Sequence, residues 1–547
     1  MKLALAQINT VVGDFEHNAG AILAAATQAR AAGAELVLFP ELSLTGYPPL
    51  DLLERPRFWA EAQEAEHRCM TDLPPGLVAV FGNIGPRDPR AHGRRLFNQA
   101  VVARRGEILG RVSKHLIPTY DVFDEDRHFE IGPSPSAIFE IGGRRIGITI
   151  CEDMWAEVEG AKRTYPVDPV QALVEAHRPE LILNLSASPF SRRKLGLRRR
   201  ILEGVSKKYE VFVAYGNLVG ANDGLIFDGR SMVYGPGGQH LHTSPPWVSD
   251  VSVIDLERVS PSDPPLEDAI ADLADALSLG IRDYVDKAGV ERAVVGLSGG
   301  IDSAVTAALA VRALGPGRVR GLAMPSAYSS EGSLTDARGL AENLGIRLDE
   351  ISIRPMVEAH EAALGPIFEG REPDMTEENL QSRIRCALLM AVSNKFGGVV
   401  LNTGNKSEAA VGYATIYGDA IGALSVLGDC YKHQVYGLAE WINLADEIIP
   451  FSTIEKPPSA ELRPNQTDQD TLPPYERLDA ILERAIEARE DPETIADVLG
   501  VELQEVRRIF HLLYAAEFKR RQFPPTLKVS GKAWTGRVYP IVQRFRD

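Results

Sequence analysis

The sequence predicts an α/β protein built as two domains, and three observations carry that expectation. Short apolar runs of strand length alternate with longer helical stretches. A proline-dense seam at 260–266 divides the chain into near-equal halves. Beyond it a new alternation begins, in which an apolar strand runs into a glycine-rich turn and then a helix. The 547 residues also exceed one domain at about 150 residues each.

In chain order, strands are expected at 2–8, 35–39, 77–82, 98–103, 145–150, 181–185 and 211–215, each an apolar run ended by turn residues. Between some of them lie alanine-rich helical stretches such as 18–32. In Ser260-Pro261-Ser262-Asp263-Pro264-Pro265-Leu266, three prolines remove three N–H donors and cannot continue a helix or a central strand. That segment is the expected linker between domains 1–259 and 267–547. A helix at 266–287, a strand at 292–297 and a helix at 304–314 follow, and 478–488 with 502–516 form a helical tail.

Composition narrows the partners. Hydrophobic residues are 44% and charged residues 24% of the chain, an ordinary globular balance. No apolar run reaches the ~18 residues of a membrane span, and the N-terminus turns polar at Gln7, too soon for a signal peptide. Fifty-nine basic residues against 75 acidic ones give a net charge of −16, which disfavours nucleic acid as a partner. Cys69, Cys151, Cys386 and Cys430 are far apart with no C-x-x-C pair. Neither a disulfide scaffold nor a zinc site is expected, and a reducing cytoplasm fits.

Three segments of the first half put reactive groups at strand edges. The strand at 35–39 runs into Pro40-Glu41-Leu42, bringing a carboxylate to the crevice where α/β sheets do chemistry and where it can act as a general base. Lys114 lies in the semi-apolar stretch 110–118, where a lysine can stabilise an oxyanion. The strand at 145–150 ends at Cys151-Glu152-Asp153-Met154-Trp155, a nucleophile-like position before a turn. Singly, each has an ordinary reading as a capping carboxylate, a surface charge or a buried thiol. Together they form a coherent set in which Glu41 takes the thiol proton, Cys151 attacks an amide carbonyl and Lys114 steadies the oxyanion.

Phe39-Pro40-Glu41-Leu42, Lys114-His115-Leu116-Ile117-Pro118 and Ile150-Cys151-Glu152-Asp153-Met154-Trp155 resemble the Glu-Lys-Cys signature of the nitrilase (carbon–nitrogen hydrolase) superfamily over about residues 1–255. The resemblance implies a four-layer α-β-β-α sandwich. It also implies that Tyr120 and the segment 184–189 line an amide pocket, and that Ser188 and Lys194 bind glutamine. Many nitrilases carry a second glutamate after the lysine; here Asp121, Asp124, Glu125 and Asp126 are all open.

In the second half, the strand at 292–297 leads into Ser298-Gly299-Gly300-Ile301-Asp302-Ser303 and a helix. Backbone N–H groups of such a turn and the helix N-terminus face phosphate. The turn lacks a Walker lysine and the G-x-G-x-x-G spacing, so it is neither a P-loop nor a dinucleotide turn. It resembles the N-type ATP pyrophosphatases, which adenylate their substrates. By that resemblance Ser298, Gly299, Gly300, Asp302 and Ser303 cradle ATP and Asp302 ligates Mg²⁺. Downstream, Thr403 stands near the nucleotide and Glu408 is available as a second metal ligand. Gly412-Tyr413, Tyr417-Gly418-Asp419 and the segments 427–435, 456–462 and 518–522 extend the series to a resemblance with NAD synthetases over about 266–530. It implies a Rossmann-like parallel sheet, Lys432 and Ser459 on ATP, and Asn379, Arg383, Glu408 and Lys519 facing deamido-NAD. It implies also that 325–330 is a mobile lid.

A nitrilase-type amidase joined to an adenylating synthetase resembles the glutamine-dependent NAD synthetases along nearly the entire chain. The resemblance implies amidation of deamido-NAD by ammonia from L-glutamine through an adenylate, releasing AMP, pyrophosphate and L-glutamate. A sheltered ammonia path and homo-oligomers built on synthetase-domain dimers are further implications. An asparagine-type glutaminase needs Cys directly after the initiator Met, where this chain has Lys2, and a GMP-type Cys-His-Glu glutaminase has no matching segment. A silent nucleotide sensor would not need Glu41, Lys114 and Cys151 together.

Overall fold

A computed structural model describes residues 1–85, 96–134, 137–156, 165–464, 466–536 and 539–545. The chain divides into two compact units, Met1–Glu267 and Asp268–Asp547.

The first unit holds two six-stranded sheets. One runs Asp250–Asp255, Lys2–Gln7, Leu36–Leu38, Val78–Ile84, Asn98–Arg104, Glu107–Ser113; the other runs His240–Thr243, Met232–Tyr234, Phe212–Asn217, Leu181–Ser186, Arg144–Ile150, Ile138–Ile141. Side-chain alternation sets the layers. Leu3, Leu5, Leu36, Leu38 and Val80 from one sheet meet Ile146, Ile148, Leu181 and Leu183 from the other in a shared core. Ala4, Ala6, Val37, Phe39 and Phe81 point the opposite way, onto helices Phe15–Ala31 and Pro56–Asp72. Ile182, Val213 and Met232 likewise pack against helices Pro169–His177 and Lys194–Tyr209. Strands buried on both faces are apolar throughout, which is why the central ones are visible in the sequence. Glu107–Ser113, Ile138–Ile141 and Asp250–Asp255 are additional strands without a continuous apolar run. Asp250–Asp255 pairs antiparallel with Lys2–Gln7 across the length of the unit, a contact that no local pattern encodes.

The second unit contains a fully parallel five-stranded sheet in the order Arg347–Glu350, Val319–Ala323, Arg292–Gly296, Gly398–Asn402, Leu424–Ser425. Its first strand is central, so the chain order reverses there, and ligands bind at such switch points beyond the carboxyl ends of the strands. The entry helix Ala269–Lys287 begins three residues later than 266, because Asp268 is its cap, accepting from the Ile270 and Ala271 N–H groups. The next helix, Ile301–Leu314, begins three residues earlier than 304, with Gly300 at its cap, so Asp302 lies in its first turn. Tyr475–Glu483 and Leu503–Ala515 bury Leu478, Ile481, Ile509 and Leu513 in one cluster, as the apolar periodicity predicts. Among the described residues, no helix is long and apolar enough to cross a membrane.

Candidate active sites

In the first unit Glu41, Lys114 and Cys151 are buried side by side at strand edges. Lys114 Nζ donates to Glu41 Oε1 at 2.6 Å and to Glu125 Oε1 and Oε2 at 2.9 and 2.8 Å. Two carboxylates thus share one ammonium, and of the three N–H groups a lysine has, one is left for another acceptor. Of the acidic residues at 121–126, Glu125 is the one set against the lysine, and it also accepts from Tyr47 Oη at 2.9 Å. Burial pushes its pKa up to about 7, with Lys114 opposing. Burial also works against the Lys114 charge, yet Glu125 and Glu41 together hold its pKa well above the ordinary value. Burial first, then the Glu41 charge, keeps the Cys151 thiol well above its usual pKa, so it rests protonated.

The backbone holds this set in place. Cys151 has φ +44°, in the left-handed region, at the end of Arg144–Ile150. Asp153 accepts from the N–H groups of His115 (2.9 Å), Leu116 (2.7 Å) and Ile150 (3.0 Å), tying the lysine segment to the cysteine strand. Glu41 Oε1 also accepts from Asn98 Nδ2 at 2.8 Å, and Oε2 accepts from the Ala187 N–H at 3.0 Å. Gly82 lets the Glu41 loop pass close by: a Cβ there would sit 2.1 Å from the Leu42 nitrogen. The sequence offered no sign of Asn98 or Gly82, and Asp153 stood in the cysteine motif without an assigned task.

Of the residues expected for an amide pocket, Tyr120 stands close enough to Cys151 to feel its charge, and Asn184 Nδ2 donates to Cys151 O at 3.4 Å. Tyr120 Oη donates to Glu152 Oε1 and Oε2 at 3.0 and 2.9 Å, and Tyr165 Oη donates to Glu152 Oε1 at 2.6 Å. Lys194 Nζ stands about 6 Å from the Phe123 and Trp155 ring centres, so it joins the same aromatic rim. Ser188 is held deeper by its backbone, its N–H donating to Asn217 Oδ1 at 2.9 Å and its carbonyl accepting from Arg198 Nη2 at 2.9 Å. Glu152 was not singled out from sequence, although it is the residue that gathers the two tyrosines.

In the second unit a cavity of about 940 Å³ opens over the carboxyl ends of the strands. Ser298, Gly300, Asp302, Ser303, Asn379, Thr403, Glu408, Lys432, Ser459 and Lys519 all line it. Gly299 and Arg383 are not among its lining residues. Gly299 serves the backbone, with φ +77° and room for no Cβ, which would sit 2.2 Å from Ser333 O. Arg383 is exposed and its Nε donates to Ile416 O at 3.3 Å. The turn is self-braced: Gly300 N–H donates to Ser298 Oγ at 3.2 Å and Ser303 Oγ to Gly300 O at 2.9 Å.

Lys432 Nζ is 2.5 Å from Asp302 Oδ2 and 3.8 Å from Glu408 Oε1, and Asn405 Nδ2 donates to Asp302 Oδ1 at 2.9 Å. Burial opposes the Lys432 charge, but Asp302 and then Glu408 raise its pKa above the ordinary value. Burial and Asp302 push Glu408 up to about 8. Two carboxylates this close, one of them reluctant to ionise, suit a divalent cation that takes one or two protein carboxylates and completes its shell with phosphate oxygens. Lys519 Nζ donates to the carbonyls of Gly412 and Ala414 at 2.8 and 2.7 Å, and Thr415 Oγ1 donates to Asn379 Oδ1 at 2.7 Å. Ser459 Oγ is turned into its own loop, donating to Gln466 O at 2.5 Å. Glu461 accepts from Ser330 Oγ at 2.9 Å, at the end of the expected lid, and from Ser333 Oγ at 2.8 Å in the helix that follows it.

Known proteins match both halves. A carbon-nitrogen hydrolase family model matches residues 2–261 and an NAD synthase family model matches residues 273–523. The glutamine-dependent NAD(+) synthetase of Synechocystis sp. is 43% identical over 554 residues, covering 99% of each chain. That of Rhodobacter capsulatus is 42% identical over 565 residues, covering 100% of this chain and 99% of its own. Among solved structures, the glutamine-dependent NAD+ synthetase of Acinetobacter baumannii in complex with ADP superposes with a TM-score of 0.78 at 36% identity, over 99% of this chain and 98% of that one. The Cytophaga hutchinsonii glutamine-dependent NAD(+) synthetase shares the fold with a TM-score of 0.85 at 21% identity, over 99% of this chain and 98% of that one. Similarity of this degree from end to end, through both units, means that the chain belongs to the glutamine-dependent NAD(+) synthetase family.

Proposed function

We propose that the protein converts deamido-NAD to NAD with ATP, using ammonia cut from L-glutamine and leaving AMP, pyrophosphate and L-glutamate. The observation that carries this reading is the presence in one chain of two separate reactive clusters, Glu41–Lys114–Cys151 and Asp302–Lys432–Glu408. Residues 1–259 are the glutaminase, 260–266 the linker and 267–547 the synthetase.

In the glutaminase, Tyr120, Ser188 and Lys194 hold glutamine with its amide at Cys151. The thiol rests protonated, so Glu41 must remove its proton as sulfur attacks. Glu41 Oε2 has a single backbone donor and is the oxygen free to do so. The third Lys114 N–H meets the oxyanion, and Glu125 keeps the ammonium charged and aimed. Glu41 returns that proton to the amide nitrogen as the C–N bond breaks, ammonia leaves, and water then cleaves the thioester with the ionised Glu41 again as base.

In the synthetase, Ser298, Gly300 and Ser303 receive the phosphates, Thr403, Lys432 and Ser459 contact ATP, and Asn379, Arg383, Glu408 and Lys519 face deamido-NAD. Ser459 reaches ATP by giving up its bond to Gln466, and Arg383, exposed and outside the cavity lining, reaches the dinucleotide where that substrate extends past the rim. Asp302 and Glu408 would hold Mg²⁺, which supplies charge neutralisation on the phosphates. The nicotinate carboxylate attacks the α-phosphorus, pyrophosphate leaves, and ammonia then displaces AMP. Oligomers paired through the synthetase unit fit the exposed Met390 and Phe396 on helix Met375–Phe396. Four free thiols fit a cytoplasmic location.

Incubation with ATP, Mg²⁺, L-glutamine and deamido-NAD should give NAD, AMP, pyrophosphate and glutamate in equal amounts. ADP and orthophosphate as primary products would refute the adenylate route.

A further inference from the structure

Five cationic side chains line the synthetase cavity: Arg385, Lys432, Lys456, Arg463 and Lys519. Three are already matched by carboxylates. Lys432 has Asp302 and Glu408, Lys456 has Asp336 at 2.9 Å, and Arg463 has Asp470 at 2.8 Å and Glu378 at 3.4 Å. Lys519 and Arg385 differ, since among the described residues neither has a carboxylate within ion-pair distance. Lys519 is satisfied by two carbonyls of the loop near Asn379. Arg385 has one bond, from Nε to Met324 O at 3.0 Å, which anchors the stem and leaves both terminal nitrogens of its planar fork unspent.

The anchor also says which substrate is in reach. Met324 directly follows strand Val319–Ala323, which pairs in parallel with Arg292–Gly296, the strand that delivers the phosphate turn. A Cβ on Gly296 would touch Leu389 at 3.4 Å and Met324 at 3.6 Å, and Leu389 lies one helical turn beyond Arg385 on Met375–Phe396. Arg385 is therefore anchored beside the strand that delivers the phosphate turn, whereas Lys519 is bonded to the Gly412 and Ala414 carbonyls next to Asn379 and Thr415, and the Asp419 carboxylate acts on both. Burial lowers the Arg385 pKa to about 10, with Glu461 and Asp419 opposing, so the guanidinium gains by meeting an anion there.

Resting on the function proposed above, we infer that Arg385 is an ATP-binding residue whose terminal nitrogens receive phosphate oxygens of the nucleotide in the synthetase cavity. A guanidinium fork suits two oxygens of one phosphate, and a charge-assisted pair of this kind is among the stronger polar contacts a protein makes.

The test uses the full chain with ammonium chloride as nitrogen donor, comparing wild type, Arg385→Met and Arg385→Lys. Arg385→Met should raise KM for ATP and the calorimetric Kd for ATP about tenfold or more, with KM for deamido-NAD changed less than about twofold. Arg385→Lys keeps the charge but loses the fork and the Met324 bond, and should fall between. A selective rise in KM for deamido-NAD would overturn the assignment, as would a lowered melting temperature with ATP affinity unchanged. If Arg385→Met does not fold, Arg385→Lys decides alone, and unaltered ATP binding in it counts against the proposal. Wild type making no NAD from either L-glutamine or ammonium would instead sink the proposed function itself.

Discussion

Replacing Cys151 with Ala removes one sulfur from the end of a buried strand and leaves the Lys114–Glu41–Glu125 bonds standing. The fold should survive, while loss of the proposed nucleophile should lower glutamine hydrolysis by about three orders of magnitude or more. NAD synthesis from ammonium salts should persist, and comparison of the two nitrogen donors reads the result; loss of both activities would mean that the thiol serves the fold. Asp302→Ala is the converse. It leaves Lys432 beside Glu408 alone and takes one carboxylate from the proposed cation site. AMP and pyrophosphate formation should stop while glutamate release remains measurable, and near-normal NAD synthesis would show the phosphate-turn assignment to be wrong.

Elements matter where their ends must meet. Asp153 joins the segment after Glu107–Ser113 to the end of Arg144–Ile150 through three N–H groups. Burial raises its pKa to about 6 from an ordinary 3.8, so the folded chain holds that proton more tightly than the unfolded chain. Its contribution to stability is therefore full below about pH 4 and is lost as pH rises through 6. In urea titrations, wild type should lose stability relative to Asp153→Asn between pH 4 and pH 7, and a difference independent of pH would contradict this. Gly82→Ala acts on the neighbouring element. Its methyl would press on the Leu42 nitrogen and the Glu41 carbonyl carbon, costing about 1–3 kcal/mol and moving Glu41. Glutaminase activity should fall at least about tenfold while ammonium-driven synthesis holds.

Taken as a molecule, the chain has a separate core in each unit. The first is closed by the clusters around Leu3, Phe39 and Ile182, the second by those around Leu478 and Leu322. Met1–Glu267 and Asp268–Asp547 should each fold when expressed alone. The first should hydrolyse glutamine and the second should make NAD from ammonium. Mixed as separate pieces they should use glutamine poorly, because ammonia released into bulk water at neutral pH is protonated and loses its nucleophilic pair. Efficient glutamine use by the mixture would show that the two activities need no covalent link.

Sequence alone determined whatever is contiguous. The buried central strands read as apolar runs because both faces are covered, and Ser298–Ser303 read as a phosphate turn because its glycines, hydroxyls and helix start are neighbours along the chain. The strand-end positions of Glu41 and Cys151 were legible for the same reason. Which acid in 121–126 meets Lys114 was not legible, since Glu125 is selected by burial against Tyr47, a residue 78 positions away. Asn98, Asp153, Glu152 and Arg385 were hidden likewise, each being an ordinary polar side chain until packing brings a distant partner to it. The edge strand Asp250–Asp255 pairs with the first strand of the unit only after the intervening chain has folded. Local pattern encodes what one face of one element must bury. Hydrogen bonds and charge pairs between elements are set by where the shared cores bring those faces together, and only the tertiary structure decides that.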